Sequence, residues 1–261
     1  MSGAAFFDLD KTLMQGSSGF QFARAVHEAG MLSRRQLAAD ALANLRFRLH
    51  GASDAQSEAL RLRIAEMLEG VRVRDLERLG VRALQRILPR LYPQMLTIAY
   101  EHQDSGRPVY IVTAAAEGLA NMLAGVLHFD GGIGSDLSEI VDGVYTGKAT
   151  GQFLYGEAKA VAIREMAARE GIDLSESYAY SDSVSDVPML KVVGHPVVVN
   201  PDEELLAMAM EGGWDVLRLD SIGRKLTVAA VAAIAISASA ATVGVLKATG
   251  RQLELPRRNG R

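Results

Sequence analysis

The chain is expected to be an α/β protein with a doubly wound, mainly parallel sheet, and three features of its sequence say so. Short apolar runs alternate with helix-period segments from Pro108 onward. A long helix-patterned block separates the first apolar run from the others. Acids, hydroxyls or a lysine stand where several runs end or helices begin. The block implies an all-helical cap inserted into the sheet domain, and a C-terminal hydrophobic helix follows. The expected bounds are 1–14 and 106–222 for the catalytic core, 15–105 for the cap, 224–248 for the hydrophobic helix and 249–261 for a basic tail.

Ala4-Ala5-Phe6-Phe7 reads as a strand buried on both faces, because no charged side chain precedes Asp8. Residues from about 17 to 105 look helical. Ser33 with Gln36 and Ser53 with Gln56 have capping-box spacing. Ala38, Leu42, Leu45 and Leu49 recur at helical steps, as do Leu60, Ile64, Met67 and Leu68, and are read as packing faces. Beyond Pro108 come a strand at Val109–Val112, a helix at Glu117–Val126 and another at Glu157–Glu170. Further strands are expected at Tyr178–Tyr180, Val197–Val199 and Val216–Leu219. Glycines and short alternations between Gly131 and Lys148 suggest a small hairpin. The whole is a Rossmann-like layout, in which ligands bind beyond the carboxyl ends of the strands.

Composition narrows the chemistry. The net charge of -3 gives no basic field for nucleic acid. The absence of cysteine excludes disulfides, thiolate zinc sites and cysteine nucleophiles. The five histidines are scattered without metal-ligand spacing. The N-terminus lacks a signal sequence, so cytoplasmic residence is expected.

Four short segments carry the chemistry. In Asp8-Leu9-Asp10-Lys11-Thr12, two carboxylates follow a buried strand. Such a pair is costly unless a proton or a cation lies between, and a divalent metal is the simplest candidate. Thr113 ends the next strand ahead of Ala114-Ala115-Ala116, offering a hydroxyl and backbone amides to an anion. Lys159 begins a helix, where the dipole disfavours it unless it faces phosphate or carboxylates. Asp182 and Asp186 add two acids after Tyr178-Ala179-Tyr180. Each segment also has an ordinary reading as a turn, a helix cap or an exposed lysine. Their order around one sheet edge is what argues for a site.

With these residues the sequence resembles the haloacid dehalogenase superfamily of phosphohydrolases, closest to its phosphoserine-phosphatase-like branch with a helical cap. The resemblance covers roughly residues 4 to 220. Asp8 and Asp10 match the first motif, Thr113 the second, Lys159 the third, and Asp182 with Asp186 the fourth. The resemblance implies a magnesium-dependent phosphomonoesterase that forms an aspartyl-phosphate. Asp8 would be the nucleophile and Asp10 the general acid and base. Thr113 and Lys159 would hold the phosphoryl oxygens. Mg2+ would be bound by Asp8, the Asp10 backbone carbonyl and Asp182, with Asp186 orienting Lys159 or a metal-bound water.

Three positions depart from the branch. Its glutamate after the first motif has no counterpart in Met14–Phe20, alanines replace the glycines after the second-motif hydroxyl, and Ser181 stands where glycine is frequent. The first two argue against L-phosphoserine. The expected substrate is therefore a small organic or lipid-linked phosphate ester, with Phe20 and Phe22 suited to a less polar leaving group or to the core. A phosphotransferase of the same fold and a regulatory protein acting by binding are the alternatives.

Leu226–Leu246 is an uncharged run of 21 residues, eight of them alanine and eight Leu, Ile or Val. Its length would cross a bilayer, though its composition is borderline. A membrane anchor is favoured over a helix lying on a membrane or partner and over one packed on the core. An anchor would tether the protein to the inner face of the cell membrane. Oligomeric state is not legible.

Overall fold

The computed structural model describes residues 2–30, 54–136 and 138–219. Its element order is β1 (Ala5–Asp8), α1 (Ser18–Glu28), α2 (Asp54–Leu68), α3 (Val73–Ile87), α4 (Pro93–Asp104), β2 (Val109–Ala116), α5 (Glu117–Leu127) and β3 (Gly131–Ser135). There follow β4 (Ile140–Val141), β5 (Val144–Tyr145), α6 (Glu157–Glu170), β6 (Tyr178–Ser181), α7 (Val187–Lys191), β7 (His195–Val199), α8 (Glu203–Gly212) and β8 (Asp215–Leu217). Short 3-10 turns lie at 88–90, 174–176 and 184–186. The described residues up to Arg218 form one compact unit.

Six strands form a parallel sheet in the order β3-β2-β1-β6-β7-β8. The chain builds outward from β1 to β3, then returns to the other flank at β6. The order therefore reverses between β1 and β6, the place where doubly wound sheets open a crevice for ligands. Register aligns Asp8 with Val112 of β2, and Phe7 with Ile111 of β2 and Tyr180 of β6. Thr113, one residue past the last β1–β2 pair, and Asp182, just past β6, thus flank Asp8 on either side.

Strand alternation sorts the core into two layers. Ala4, Phe6, Tyr110, Val112, Ala179 and Val198 share one face with Ile163, Met189, Leu190 and Leu205 of α6, α7 and α8. Phe7 points to the other face, where it stacks on Tyr180 at 4.3 Å and meets His102 of α4 edge-on. Asp8 has the parity of Phe6, which directs it toward the α6 layer.

The segment 131–148 divides differently from the expectation. Gly131–Ser135 joins the main sheet beside β2, and only 140–145 forms a hairpin. The glycines that resembled turn residues are there because α5 packs close. A Cβ on Gly132 would lie 2.4 Å from the Ala120 carbonyl carbon, and one on Gly134 2.4 Å from the Glu117 Cα. In the hairpin, Asp142 and Gly143 both have positive φ, 51° and 75°, as a tight two-residue turn requires. The hairpin is extended by the α2–α3 connection, through Gly70 N to Tyr145 O, Tyr145 N to Val71 O and Val73 N to Gly143 O.

In the helical block α3 packs on both α1 and α5, with Leu79, Gly80, Ala83, Leu84 and Ile87 as its buried residues. The expected packing face on α2 is only partly realised. Leu68 is buried, but Met67 is half exposed because it lies about 100° round the helix from that neighbour. Phe20 is exposed and Phe22 half-buried, so neither is a core residue. The capping box at Ser33 and the stripe from Ala38 to Leu49 lie outside the described residues, as does Leu226–Leu246. Among the described residues no helix is long and apolar enough to cross a membrane.

Candidate active site

Asp8 is the last residue of β1, and Asp182 follows the last residue of β6. Between them, Lys11 takes the left-handed conformation at φ 63°, turning the chain sharply after Asp10. That turn carries Thr12 across to β6. Its hydroxyl accepts from Asp182 N at 3.0 Å and lies 3.4 Å from Asp182 Oδ1. Lys11 Nζ stands 3.7 Å from Asp182 Oδ2. The loops after β1 and β6 are therefore tied to each other beside Asp8.

Lys159 enters from the first turn of α6. Its Nζ donates to Asp8 Oδ1 at 2.6 Å and to Asp186 Oδ2 at 2.7 Å. All three side chains are buried. The helix-dipole argument for Lys159 thus ends in two carboxylates. Burial works against the ammonium charge, but Asp186 and Asp8 outweigh it and raise the lysine's pKa. Asp8 is pushed up to about 8, first by burial and then by the nearby Asp186 and Asp182 charges, with Lys159 pulling the other way. Asp186 is held further by Ser181, whose hydroxyl donates to the same Oδ2 at 2.7 Å.

Asp10 is oriented by a different element. Its Oδ1 accepts from Ser18 N at 2.7 Å, at the start of α1, where free amides and the helix dipole favour a carboxylate. Thr113 is buried one residue past the strand position level with Asp8, and its hydroxyl accepts from Ala115 N at 3.2 Å. Strand β2 continues to Ala116 with an irregularity after Val112. The amides after Thr113 therefore belong to a distorted strand end, where they were expected at a helix entrance.

The structure brings Asp8, Lys159 and Asp186 into direct contact and sets Asp182, Asp10 and Thr113 at the adjoining strand ends. Two contributors escaped the sequence reading. Thr12 was legible as part of the first segment, but only as a cap. Ser181 appeared as a replacement for glycine, and nothing in the sequence announced its bond to Asp186.

Among the described residues, no group of three His, Cys, Asp or Glu side chains forms a ready-made metal site. The expected donors, the Asp8 and Asp182 carboxylates and the Asp10 backbone carbonyl, are all oxygens, the chemistry that a hard cation keeping several waters accepts.

The model of the haloacid dehalogenase-like hydrolases matches residues 5–191. The chain belongs to that family. Among its relatives, phosphoserine phosphatase SerB1 of Mycobacterium tuberculosis is 34% identical over 94% of this chain and 80% of its own length. The "Inhibition of morphological differentiation protein" of Streptomyces azureus is 35% identical over 93% of this chain and 91% of its own. A crystal structure of a protein with unknown function from Bordetella pertussis Tohama I superposes with a TM-score of 0.71 at 26% identity, covering 83% of this chain and 98% of that one. This haloacid dehalogenase-like hydrolase is of the phosphoserine-phosphatase-like kind, and it is a phosphatase.

Proposed function

We propose that the protein is a magnesium-dependent phosphomonoester hydrolase working through a phosphorylated Asp8, on a small organic or lipid-linked phosphate. The buried Asp8–Lys159–Asp186 contact carries this reading. A carboxylate at the end of a buried strand, held at 2.6 Å from an ammonium, is costly as mere structure and useful as a nucleophile. Similarity to phosphatases along nearly the whole chain supports the reaction class.

Asp8 would attack phosphorus in line, forming an O–P bond as the bond to the leaving alcohol breaks. Lys159 offers its remaining proton to a phosphoryl oxygen, where charge builds in the transition state. Thr113 adds a hydroxyl from the neighbouring strand. Asp10, fixed by the α1 amide, would give a proton to the leaving oxygen and later take one from water, which releases phosphate and restores Asp8. Asp186 and Ser181 keep the lysine aimed. Mg2+ would be held by Asp8, the Asp10 carbonyl and Asp182, and when bound it supplies positive charge that lets an anionic nucleophile approach an anionic ester. Helices α1 to α3 would act as a cap over this edge, while α4 packs against β2 of the sheet.

Asp8→Asn retains the shape and removes the nucleophile. Magnesium-dependent hydrolysis of p-nitrophenyl phosphate should fall about a thousandfold or more in that variant. Unchanged turnover would remove Asp8 from the chemistry. A panel of phosphate esters including L-phosphoserine then assigns the leaving group, and added alcohols reveal any phosphotransfer.

A further inference from the structure

Strand β2 carries extra chain beside the phosphoryl site. Val112 pairs with Ile133 and Ala116 with Ser135, so three residues, Thr113 to Ala115, stand opposite Gly134 alone. Extra residues in one strand break the ladder locally and leave peptide groups without their sheet partners. Gly134 gives room for the bowed chain, since a Cβ there would lie 2.9 Å from Ala115 O.

Ser135 supplies a partner that the ladder no longer does. It is only 1% exposed, and its hydroxyl donates to Ala114 O and accepts from Leu154 N, each at 2.9 Å. The Ala114 carbonyl and the Ala115 N–H belong to one planar trans peptide and point in opposite directions. Holding the oxygen therefore aims the N–H, which donates to Thr113 Oγ1 at 3.2 Å. A threonine hydroxyl has one proton and two acceptor sites. With the Ala115 N–H on its oxygen, the Thr113 proton must point away from that amide.

These bonds run head to tail, from Leu154 N–H to Ser135, from Ser135 O–H to the 114–115 peptide, and from that peptide to Thr113. Donors aligned in one direction polarise each other and strengthen the last of them. The same hydroxyl ties the strand end bearing Thr113 to the segment that enters α6, which carries Lys159.

We propose that Ser135 is a positioning residue for phosphoryl binding, acting through the 114–115 peptide to turn the Thr113 hydroxyl proton toward a phosphoryl oxygen. Ser135 itself touches no reacting atom. Its role rests on Thr113 being a phosphoryl ligand, and the test separates the two.

Magnesium-dependent hydrolysis of p-nitrophenyl phosphate is compared in the parent, Thr113→Val, Ser135→Ala and the double variant, with urea midpoints measured alongside. kcat/KM should fall about a hundredfold in Thr113→Val and about tenfold in Ser135→Ala, and the double variant should be no slower than Thr113→Val. Ser135→Thr keeps a hydroxyl and should stay within about threefold of the parent. Ser135→Ala leaves Leu154 N and Ala114 O without their partner, so Ser135→Cys takes its place in the cycle if it does not fold. A merely structural serine would shift the urea midpoint and leave the two losses to multiply. Multiplying losses, a Ser135→Ala variant as active as the parent, or a folded Ser135→Thr as slow as Ser135→Ala would each overturn the role of Ser135 alone. Unchanged turnover in Thr113→Val would remove Thr113 from phosphoryl binding, and Ser135 with it.

Discussion

Two buried polar clusters grow from adjacent residues of the same strands and treat charge in opposite ways. On one face, Asp8, Lys159 and Asp186 concentrate three ionisable groups. On the other, Phe7 and Tyr180 pack against His102, whose Nε2 meets the Tyr180 hydroxyl at 2.8 Å. Arg107 Nε donates to His102 Nδ1 at 2.9 Å, and its guanidinium lies over Tyr178. With Nδ1 accepting, the ring is neutral and Nε2 carries the proton. Burial, reinforced by Arg107, lowers the histidine's pKa to about 4. The imidazole thus stays neutral beside the Arg107 guanidinium, whereas the other cluster holds a buried ammonium between two carboxyl groups. A fold that keeps its buried titratable side chain neutral on one face has no structural need for the ionic cluster on the other, which is why the latter is read as chemistry.

The largest effect should come from breaking the ionic cluster. Lys159→Met leaves Asp8 and Asp186 facing each other without their cation. Stability should drop by about 3–5 kcal/mol in urea titration, and turnover should fall about a hundredfold or more. Added magnesium should recover part of that stability if Asp8 and Asp182 hold the ion, which is measurable without any substrate. A variant as stable as the parent would erase the contrast between the clusters.

A smaller, pH-dependent effect belongs to His102. The unfolded chain takes a proton near pH 6.5, while the folded chain resists until about pH 4. Stability from this group is therefore complete above 6.5 and is lost as pH falls toward 4, by up to about 3 kcal/mol. His102→Gln should be less stable at pH 7.5 but show a shallower decline down to pH 5. Parallel urea midpoints against pH for parent and variant would contradict the neutral assignment. The smallest change expected is Arg107→Lys, which loses the planar donor and the ring contact for about 1 kcal/mol. A greater loss than that of His102→Gln would mean that Arg107, and not the imidazole, anchors this cluster.

Much of the layout was legible along the chain. Helix Glu157–Glu170 has the expected bounds, and its stop is local, because Gly171 takes the left-handed conformation and its N–H donates back to Ala167 O. The strands at 109, 178 and 197 were visible as apolar runs bounded by polar residues. Gly131–Ser135 was misread because its glycines answer to α5, a neighbour that no local pattern reveals. Met67 was misplaced because a helical stripe says which residues share a face, not how far the partner reaches across it.

For the site, residue type and order were enough to nominate Asp8, Asp10, Thr113, Lys159, Asp182 and Asp186. They carry that information because acids or a lysine at the ends of buried elements conflict with local preference unless something distant compensates. Which group compensates was decided only by the folded chain. Lys159 meets both Asp8 and Asp186, Asp10 turns to the first amide of α1, and Thr12 crosses to Asp182. These pairings span up to 170 residues and depend on the parallel register of β1 with β6 and on the docking of α6. Local propensity sets φ and ψ one residue at a time, whereas a partner is chosen by packing the whole sheet.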